Sequence, residues 1–258
     1  MTDNNAGTRG RLTRLFEGFP YKRPHLITAL RDARSSWFVN GPDEPAAGVV
    51  CHPAGHVFLA GDPTCSGPWD FLETQLAQRE DPRRPLMLIP PAPVWEQAIT
   101  ERLGNRALPS ERTLMLPTPD VEISALPPGS GVVVSDMATV APDTLKNMMG
   151  LRRNWGSVEA FQADGVGFQA IVSQEAVSVC FAVAVAEGGA PIQISTEREH
   201  QRRGYARLVA EQFILRCREC DFVPHWECDE SNEASYQLAL SLGFATHLSF
   251  TRYHLQST

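Results

Sequence analysis

The stretch "STEREHQRRGYARLVAEQF", residues 195–213, decides how the rest of this chain is interpreted. It passes from an extended segment through a polar turn into a run in which Leu208, Val209, Phe213 and Ile214 have the spacing of one helix face. The first N–H groups of a helix lack intrahelical partners and lie at the positive end of its dipole. Gly204 has no side chain to hold a ligand away, so the segment predicts an anion-binding turn. A glycine kept only for helix–strand packing is the alternative.

The elements around this turn form a regular series. Hydrophobic spacing predicts helices near 142–150 and 157–163, strands at 166–173, 176–186 and 190–196, a helix at 203–219, a strand at 223–228, a helix at 232–242 and a strand at 245–255. This alternation of strands and helices is typical of an α/β fold.

The first half of the chain has a similar order. The patterns predict a helix at 25–35, two strands flanking "PAG" at 53–55, a helix at 69–79, a strand at 86–90, a helix at 93–103 and a strand at 112–116. In both halves a helix ends at Leu-Gly, with Gly104 and Gly243 as left-handed caps, which favours an internal duplication. The alternative is that the helix–Gly–strand order recurs in any α/β protein. Segment 1–34 is otherwise interpreted as a solvated terminus.

A proline-rich segment at 116–131 is the predicted linker between two domains, 1–115 and 132–258. The chain has 258 residues and a net charge of −7, which argues against a nucleic-acid-binding surface. Its longest apolar run, 176–186, is shorter than the roughly 18–20 residues that cross a bilayer. The first residues lack the apolar core of a secretory signal, so we expect a cytoplasmic protein with reduced cysteines and no membrane partner. Cys217 and Cys220 have no second ligand pair, and no metal site is expected.

Two segments carry a resemblance to a known family. "QRRGYA", residues 201–206, fits the Q/R-x-x-G-x-G/A signature of the GCN5-related N-acetyltransferases (GNAT), and "NEASYQLALSLGF", residues 232–244, resembles their second conserved block. The resemblance covers roughly residues 113–258 and is similar in its wider extent to a two-domain branch that includes zwittermicin-resistance acetyltransferases. The first half has "AGDPTCSGPWD" after its hairpin, residues 60–70, and no such signature.

The resemblance implies a mixed sheet in the C-terminal lobe, splayed between strands 190–196 and 223–228, and a smaller, degenerate GNAT-like N-terminal lobe without a cofactor. Acetyl-CoA is the implied cofactor: its pantetheine arm would lie between the splayed strands and its pyrophosphate on the turn. The implied cofactor-binding residues are Ile194, Ser195, Thr196, Gln201, Arg202, Arg203, Gly204, Tyr205, Ala206, Asn232 and Ser235.

The catalytic residues are less clearly indicated. The family often places a tyrosine as general acid seven residues after the asparagine, and Ala239 occupies that position here. Ser235 is the nearest polar candidate for the acid, unless it only caps its helix. Glu197 and Glu227 are candidates for the base, with Asp229, His200 and a water chain as alternatives. Cys228 has no base partner beside it and is interpreted as packing.

The predicted function is acetyl-CoA-dependent transfer of an acetyl group to an amine of a small molecule, by direct attack on the thioester. A lysine or N-terminal amine of a protein is the alternative acceptor. A non-catalytic CoA-binding module is the alternative from another class, because the usual tyrosine is missing at Ala239. The oligomeric state is left open by the sequence.

Overall fold

A computed structural model describes residues 3–19, 21–41, 45–79, 81, 83–119 and 131–256. The chain divides into two compact units: unit 1 contains Met1–Arg112 and Phe250–Thr258, and unit 2 contains Thr113–Ser249. The last residues therefore belong with the first half, whereas the sequence placed all of 132–258 in the C-terminal domain. Most of the predicted linker, 120–130, lies outside the described residues.

Unit 1 contains four helices and the strands of one mixed sheet among its described residues. The helices are α1 (Asp3–Leu15), α2 (Arg23–Arg31), α3 (Gly67–Ala77) and α4 (Pro93–Leu103), and the strands are β1 (Ser36–Val39), β2 (Ala47–Cys51), β3 (His56–Gly61), β4 (Leu86–Ile89) and β5 (Ala107–Pro117), whose end lies in unit 2. β1, β2 and β3 are antiparallel neighbours, and β3 pairs in parallel with β4 through the crossover helix α3.

The sheet of unit 1 is completed by the end of the chain. In strand β11 (Phe244–Leu255), residues Tyr253–Leu255 pair antiparallel with Leu86–Leu88 of β4. Leu255 and Tyr253 are buried in the same core as Trp69 and Trp95. This pairing is the physical reason that residues 250–258 belong to unit 1.

Unit 2 contains the predicted chemistry. Its elements are β6 (Val132–Asp136), α5 (Met148–Trp155), α6 (Val158–Asp164), β7 (Gly167–Val172), β8 (Glu175–Ala182), β9 (Gly189–Thr196), α7 (Tyr205–Glu219), β10 (Val223–Asp229), α8 (Glu233–Ser241) and the start of β11. β6 to β9 are antiparallel neighbours in chain order, and β10 pairs with β9 in parallel. This is the mixed α/β sheet that the sequence predicted.

Two hydrophobic cores cover the two faces of the sheet in unit 2. On one face α7 and α8 pack on β8 and β10 through Val209, Phe213, Ala239, Cys180 and Trp226. On the other face α5 and α6 pack on β8 through Leu151, Phe161, Val179 and Phe181. Side chains alternate between the two faces along each strand, so a residue's position in β8, β9 or β10 determines which layer it meets.

The two units share one order of pairing. In each, an antiparallel hairpin is followed by a helix and a parallel strand: β2–β3–α3–β4 in unit 1 and β8–β9–α7–β10 in unit 2. A further helix and a long strand follow in both cases, namely α4 and β5, and α8 and β11. The common order supports the predicted duplication. Gly104 is not a left-handed cap, however, since its ψ is −133°.

Several elements differ from the sequence prediction. The segment before residue 19 contains helix α1, where a solvated terminus was expected, and Leu12 and Phe16 are buried in a core with α2 and β3. The four-residue strand β1 and the edge strand β6 were missed because neither shows a clean alternation of buried and exposed residues. Strand β8 ends at Ala182, four residues before the end of the apolar run.

In the described part of the chain, no helix is both long enough and apolar enough to cross a membrane.

A glycine in unit 1 is required by sterics. Gly61 has φ +80°, and a Cβ there would lie 2.0 Å from the carbonyl oxygen of Ala46, whereas Gly18 has φ +75° with nothing within 4 Å. Both alanine variants incur the left-handed strain, about 1–2 kcal/mol. The clash adds about 1–3 kcal/mol at Gly61 alone. Gly61→Ala should therefore unfold at lower urea concentration than Gly18→Ala, and equal midpoints would contradict the steric explanation.

Candidate active site

The central feature of unit 2 is a fork between β9 and β10. The parallel ladder joins only Gly189, Ala190 and Pro191 to Val223, Pro224 and His225. Both strands continue beyond it, β9 to Thr196 and β10 to Asp229, without further pairing with each other. The sheet is therefore splayed over the segments where the family resemblance implied a splay.

The register with β8 shows which backbone groups face the opening. Glu197 N–H donates to Val177 O and Val183 N–H donates to Pro191 O, so the odd-numbered residues of β9 form the hydrogen-bonded pairs with β8. The backbone groups of Ile192, Ile194 and Thr196 therefore point toward the fork. Ser195 points the other way, and its carbonyl also accepts a hydrogen bond from the buried Ser178 hydroxyl at 3.2 Å.

A tight turn lies at the open end of β9. A short 3₁₀ helix, Arg198–His200, leads into Arg202 with φ +57° and Gly204 with φ +84°. The first bond of α7 runs from Leu208 N–H to Gly204 O, so the amides of Tyr205, Ala206 and Arg207 precede it and lack intrahelical partners. A Cβ built on Gly204 meets no atom within 4 Å. Helix–strand packing therefore does not explain this glycine; the left-handed backbone and the open space beside it do.

The side chains of the turn have mixed roles. Arg202 and Arg203 are exposed, as is Gln201, whose amide Nε2 donates to Thr196 O at 3.2 Å and so braces the turn. The imidazole of His200 lies 6.1 Å from the Tyr205 ring, centroid to centroid. Its Nδ1 atom is buried and has no hydrogen-bond partner among the described residues.

The second family-like block, residues 232–244, begins with a helix cap. Asn232 Oδ1 accepts from Ser235 N–H at 3.1 Å, so Asn232 is the cap and Ser235 is not. The Ser235 oxygen instead accepts from the indole Nε1 of Trp226 at 3.0 Å. Because an indole N–H can only donate, the hydroxyl proton of Ser235 is directed elsewhere. Ala239 is fully buried in the core, and its methyl side chain has no proton to transfer.

The two predicted base candidates have different surroundings. Glu197 lies 2.7 Å from the Lys146 ammonium, which lowers the pKa of this carboxyl and makes it a weaker base. The loop that carries Lys146 is held by the fully buried Gln169, which accepts from Lys146 N–H and donates to Thr144 O. Sequence reasoning missed both Lys146 and Gln169, because a loop residue and a strand residue far apart in the chain carry no spacing signal.

The other candidate, Glu227, lies on β10 beside His225. Trp226 and Cys228 face α7 and α8, so alternation places His225 and Glu227 on the opposite face. Burial lowers the pKa of His225 to about 4; the charge of His247 also lowers it, and Glu227 raises it. Asp229, two residues on, accepts from the backbone and hydroxyl of Ser231 and shapes the turn before α8. His225 was not among the predicted site residues. The sequence did place it near the start of the strand predicted at 223–228.

The corresponding fork in unit 1 is filled by the protein's own side chains. The β3–β4 ladder also spans three pairs and stops at Phe58 and Ile89. The buried indole of Trp95 donates to Gly61 O at 2.8 Å, at the end of β3. A Cβ on Gly67, the first residue of α3, would lie 2.2 Å from the Phe38 ring, so that ring covers the helix start. Unit 1 therefore lacks the open turn that unit 2 has.

The sequence pattern of the GNAT acetyltransferases matches residues 13–253. The chain belongs to the GNAT acetyltransferase family. The uncharacterized N-acetyltransferase YdfB of Bacillus subtilis (strain 168) is 27% identical over 235 residues, which are 90% of each chain. The family resemblance seen in "QRRGYA" is thus confirmed, and the chain is an acyltransferase; the narrower likeness to the zwittermicin-resistance branch stays a prediction.

Solved GNAT structures share the fold. A GCN5-related N-acetyltransferase-like protein of Streptococcus suis 89/1591 has 22% identity and a TM-score of 0.77, covering 97% of this chain and 99% of that one. A tandem GNAT protein from the clavulanic acid biosynthesis pathway has 14% identity and a TM-score of 0.60, covering 98% and 95%. The GNAT fold assignment therefore covers nearly the whole chain.

Proposed function

We propose that this GNAT protein transfers an acetyl group from acetyl-CoA to an amine of a small molecule. The observation that carries the proposal is the fork of β9 and β10, which ends at an open turn with unpartnered amides. Bound acetyl-CoA supplies the thioester whose acetyl carbon the amine attacks.

The residues of the fork fit this cofactor. The carbonyl of Ile192, both backbone groups of Ile194 and the N–H of Thr196 need hydrogen-bond partners that β10 does not provide. The amide groups of an extended pantetheine arm offer such partners. Four residue steps from Ile192 to Thr196 give about 13 Å of strand along which the arm lies.

The turn fits a diphosphate. Left-handed residues at 202 and 204 orient successive N–H groups outward, and concavities of this kind bind anions. The positive end of α7 adds to the attraction. Arg202 and Arg203 are exposed at this turn, and their guanidinium groups are proposed to bind the phosphates. In unit 1, Asp62 accepts from Thr64 N–H in the turn before α3 and the Phe38 ring covers the helix start, and we propose that this unit binds no CoA.

The acid in the reaction is proposed to be Ser235. Its oxygen is fixed by the Trp226 indole, and its hydroxyl proton remains available for the departing thiolate. Asn232 contributes by holding the first turn of α8, and so the position of Ser235, rather than by touching the cofactor.

Gly204→Glu tests the cofactor half of the proposal, with Gly204→Ala as its matched control. Both variants incur the same left-handed strain, about 1–2 kcal/mol of stability. Only glutamate places a negative charge where the diphosphate lies. If two buried hydrogen bonds are lost at about 1–3 kcal/mol each, the Kd for acetyl-CoA rises roughly 30-fold to 10⁴-fold. Calorimetric titration measures this Kd. A folded Gly204→Glu protein that binds acetyl-CoA as tightly as Gly204→Ala would contradict the cradle.

A second test addresses Ser235. Ser235→Ala and Trp226→Phe both remove the hydrogen bond between these residues, but only the first removes the hydroxyl group. We expect Ser235→Ala to lower kcat by about 10²-fold or more, the scale of a lost general acid. Trp226→Phe should retain most of kcat, because the hydroxyl remains. Equal kcat values in the two variants would contradict a proton-donating Ser235.

The acceptor half is tested by turnover with a panel of amines. The net charge of −7 favours cationic acceptors. We expect release of free CoA thiol with small di- and polyamines or amino sugars at higher kcat/KM than with peptides that offer a lysine or a free N-terminus. A preference for peptides would contradict the small-molecule acceptor. Tight acetyl-CoA binding without turnover of any amine would favour a non-catalytic module.

A further inference from the structure

We propose that His225 is a catalytic residue of this acetyl transfer, where its neutral imidazole accepts the proton of the attacking amine, and that Glu227 is its positioning residue. This inference rests on the proposed function, because it needs the thioester to lie in the fork between β9 and β10.

The position of His225 at the fork is the first support. The β9–β10 ladder ends with the pair Pro191 and His225, so His225 is the last residue of β10 that pairs with β9. The turn that would hold the diphosphate follows Thr196, at the other end of the open part of β9. An arm that runs from this turn along β9 brings its far end, which carries the thioester, to the vertex of the fork beside His225.

The face on which His225 lies is the second support. Trp226 and Cys228 are buried against α7 and α8, which leaves the opposite face of β10 for His225 and Glu227. An amine attacks a carbonyl carbon from above its plane, and the α7 face is closed by core side chains. The amine therefore approaches from the face that carries His225.

The charge around His225 is the third support. Pro191, its partner on β9, carries no charge; Glu227 on β10 and His247 on β11 are the charged groups that act on it. Burial keeps the imidazole neutral at pH 7, with a pKa of about 4. A neutral ring has a nitrogen free to accept a proton and does not repel a cationic substrate. Glu227 lies two residues away, about 7 Å along the strand, and stabilises the imidazolium once it forms.

The other candidates are less suited to this role. Glu197 is paired with Lys146 and lies beyond the far end of β9, next to the turn. The Asp229 carboxylate is engaged by Ser231.

The proton and electron balance of the step is complete. The amine reacts as its free base, and its lone pair forms the new carbon–nitrogen bond to the acetyl carbon. Bond formation places positive charge on that nitrogen and makes its N–H strongly acidic, so even a weakly basic imidazole takes this proton. The carbon–sulfur bond breaks, its electron pair stays on sulfur, and the thiolate takes a proton from the Ser235 hydroxyl, which regains a proton from solvent. His225 later returns its proton to solvent, and no oxidant or reductant is required.

The experiment combines three variants with one assay. kcat is measured across pH 3–9 with the best amine of the panel, so that the limb of a group with a pKa of about 4 is covered, and the Kd for acetyl-CoA is measured at pH 7. His225→Gln keeps a polar side chain that cannot accept a proton at these pH values. We expect it to lower kcat by about 10²-fold to 10⁴-fold while the Kd for acetyl-CoA stays unchanged.

Variants of Glu227 and His247 should shift the acidic limb of the kcat profile in opposite directions. A merely structural role of His225 would not produce these shifts. Glu227 raises the pKa of His225, so Glu227→Gln should move the acidic limb of the kcat profile to lower pH. The charge of His247 lowers that pKa, so His247→Gln should move the limb to higher pH while its plateau kcat stays at the wild-type value. His247 is exposed, and its replacement should not disturb the fold.

The outcomes separate this inference from the function on which it rests. If the wild-type protein acetylates no amine, the proposed function fails and this inference falls with it. If the wild type turns over and His225→Gln keeps wild-type kcat, only this inference is overturned. If His225→Gln does not fold, an acidic limb that stays in place in both neighbour variants overturns it, and shifts in the stated directions support it.

Discussion

The shortness of the ladder between β9 and β10 is the constraint on which the site in unit 2 depends. Backbone N–H and C=O groups that leave water need partners. Three residue pairs satisfy them up to Pro191 and His225, and beyond these pairs the carbonyl of Ile192 and both backbone groups of Ile194 face an opening. α7 cannot fill this opening, because its apolar residues are committed to the core and its N-terminal amides point into the turn. The open backbone edge and the open turn are thus two ends of one unsatisfied surface, and a single elongated ligand with an anionic end satisfies both.

The comparison of the two units shows that a fork alone does not make a site. Both have a three-pair parallel ladder. In unit 1 an indole from the following helix, that of Trp95, satisfies the carbonyl of Gly61, and Trp69 packs beside it with ring centroids 5.5 Å apart. In unit 2 the following helix carries the small Ser235. Its hydroxyl oxygen accepts a hydrogen bond from the indole of Trp226, which lies on β10. A large side chain in one place and a small one in the other decide whether the fork is filled internally or left for a ligand.

Sequence reasoning found what depends on local spacing and missed what depends on pairing. The turn at 201–206 and the helix after it were predictable, because a glycine at a helix start and apolar periodicity are local properties, whereas the splay of the strands was implied only by the family resemblance. Local patterns do not state strand register, and register is what turns Ser195 toward β8 while Ile194 faces the fork. Long-range contacts also decided three other features: the ion pair of Lys146 with Glu197, the use of Asn232 as a cap, and the membership of residues 250–258 in unit 1. Helix α1 was missed because its sequence is largely polar, although Leu12 is fully buried.

The electrostatics of unit 2 change along β9 in a way that suits a reaction between an anionic donor and an amine. At the turn, exposed arginines and the N-terminus of α7 concentrate positive charge. At the vertex of the fork, burial keeps the His225 imidazole uncharged, and Glu227 is the nearest compensating charge on its strand. A protonated ring there would repel a cationic acceptor, so the penalty for burying a charge works in favour of the reaction. The same burial that costs His225 basicity therefore keeps the amine end of the fork free of positive charge, while the strand between the two ends separates them by about 13 Å.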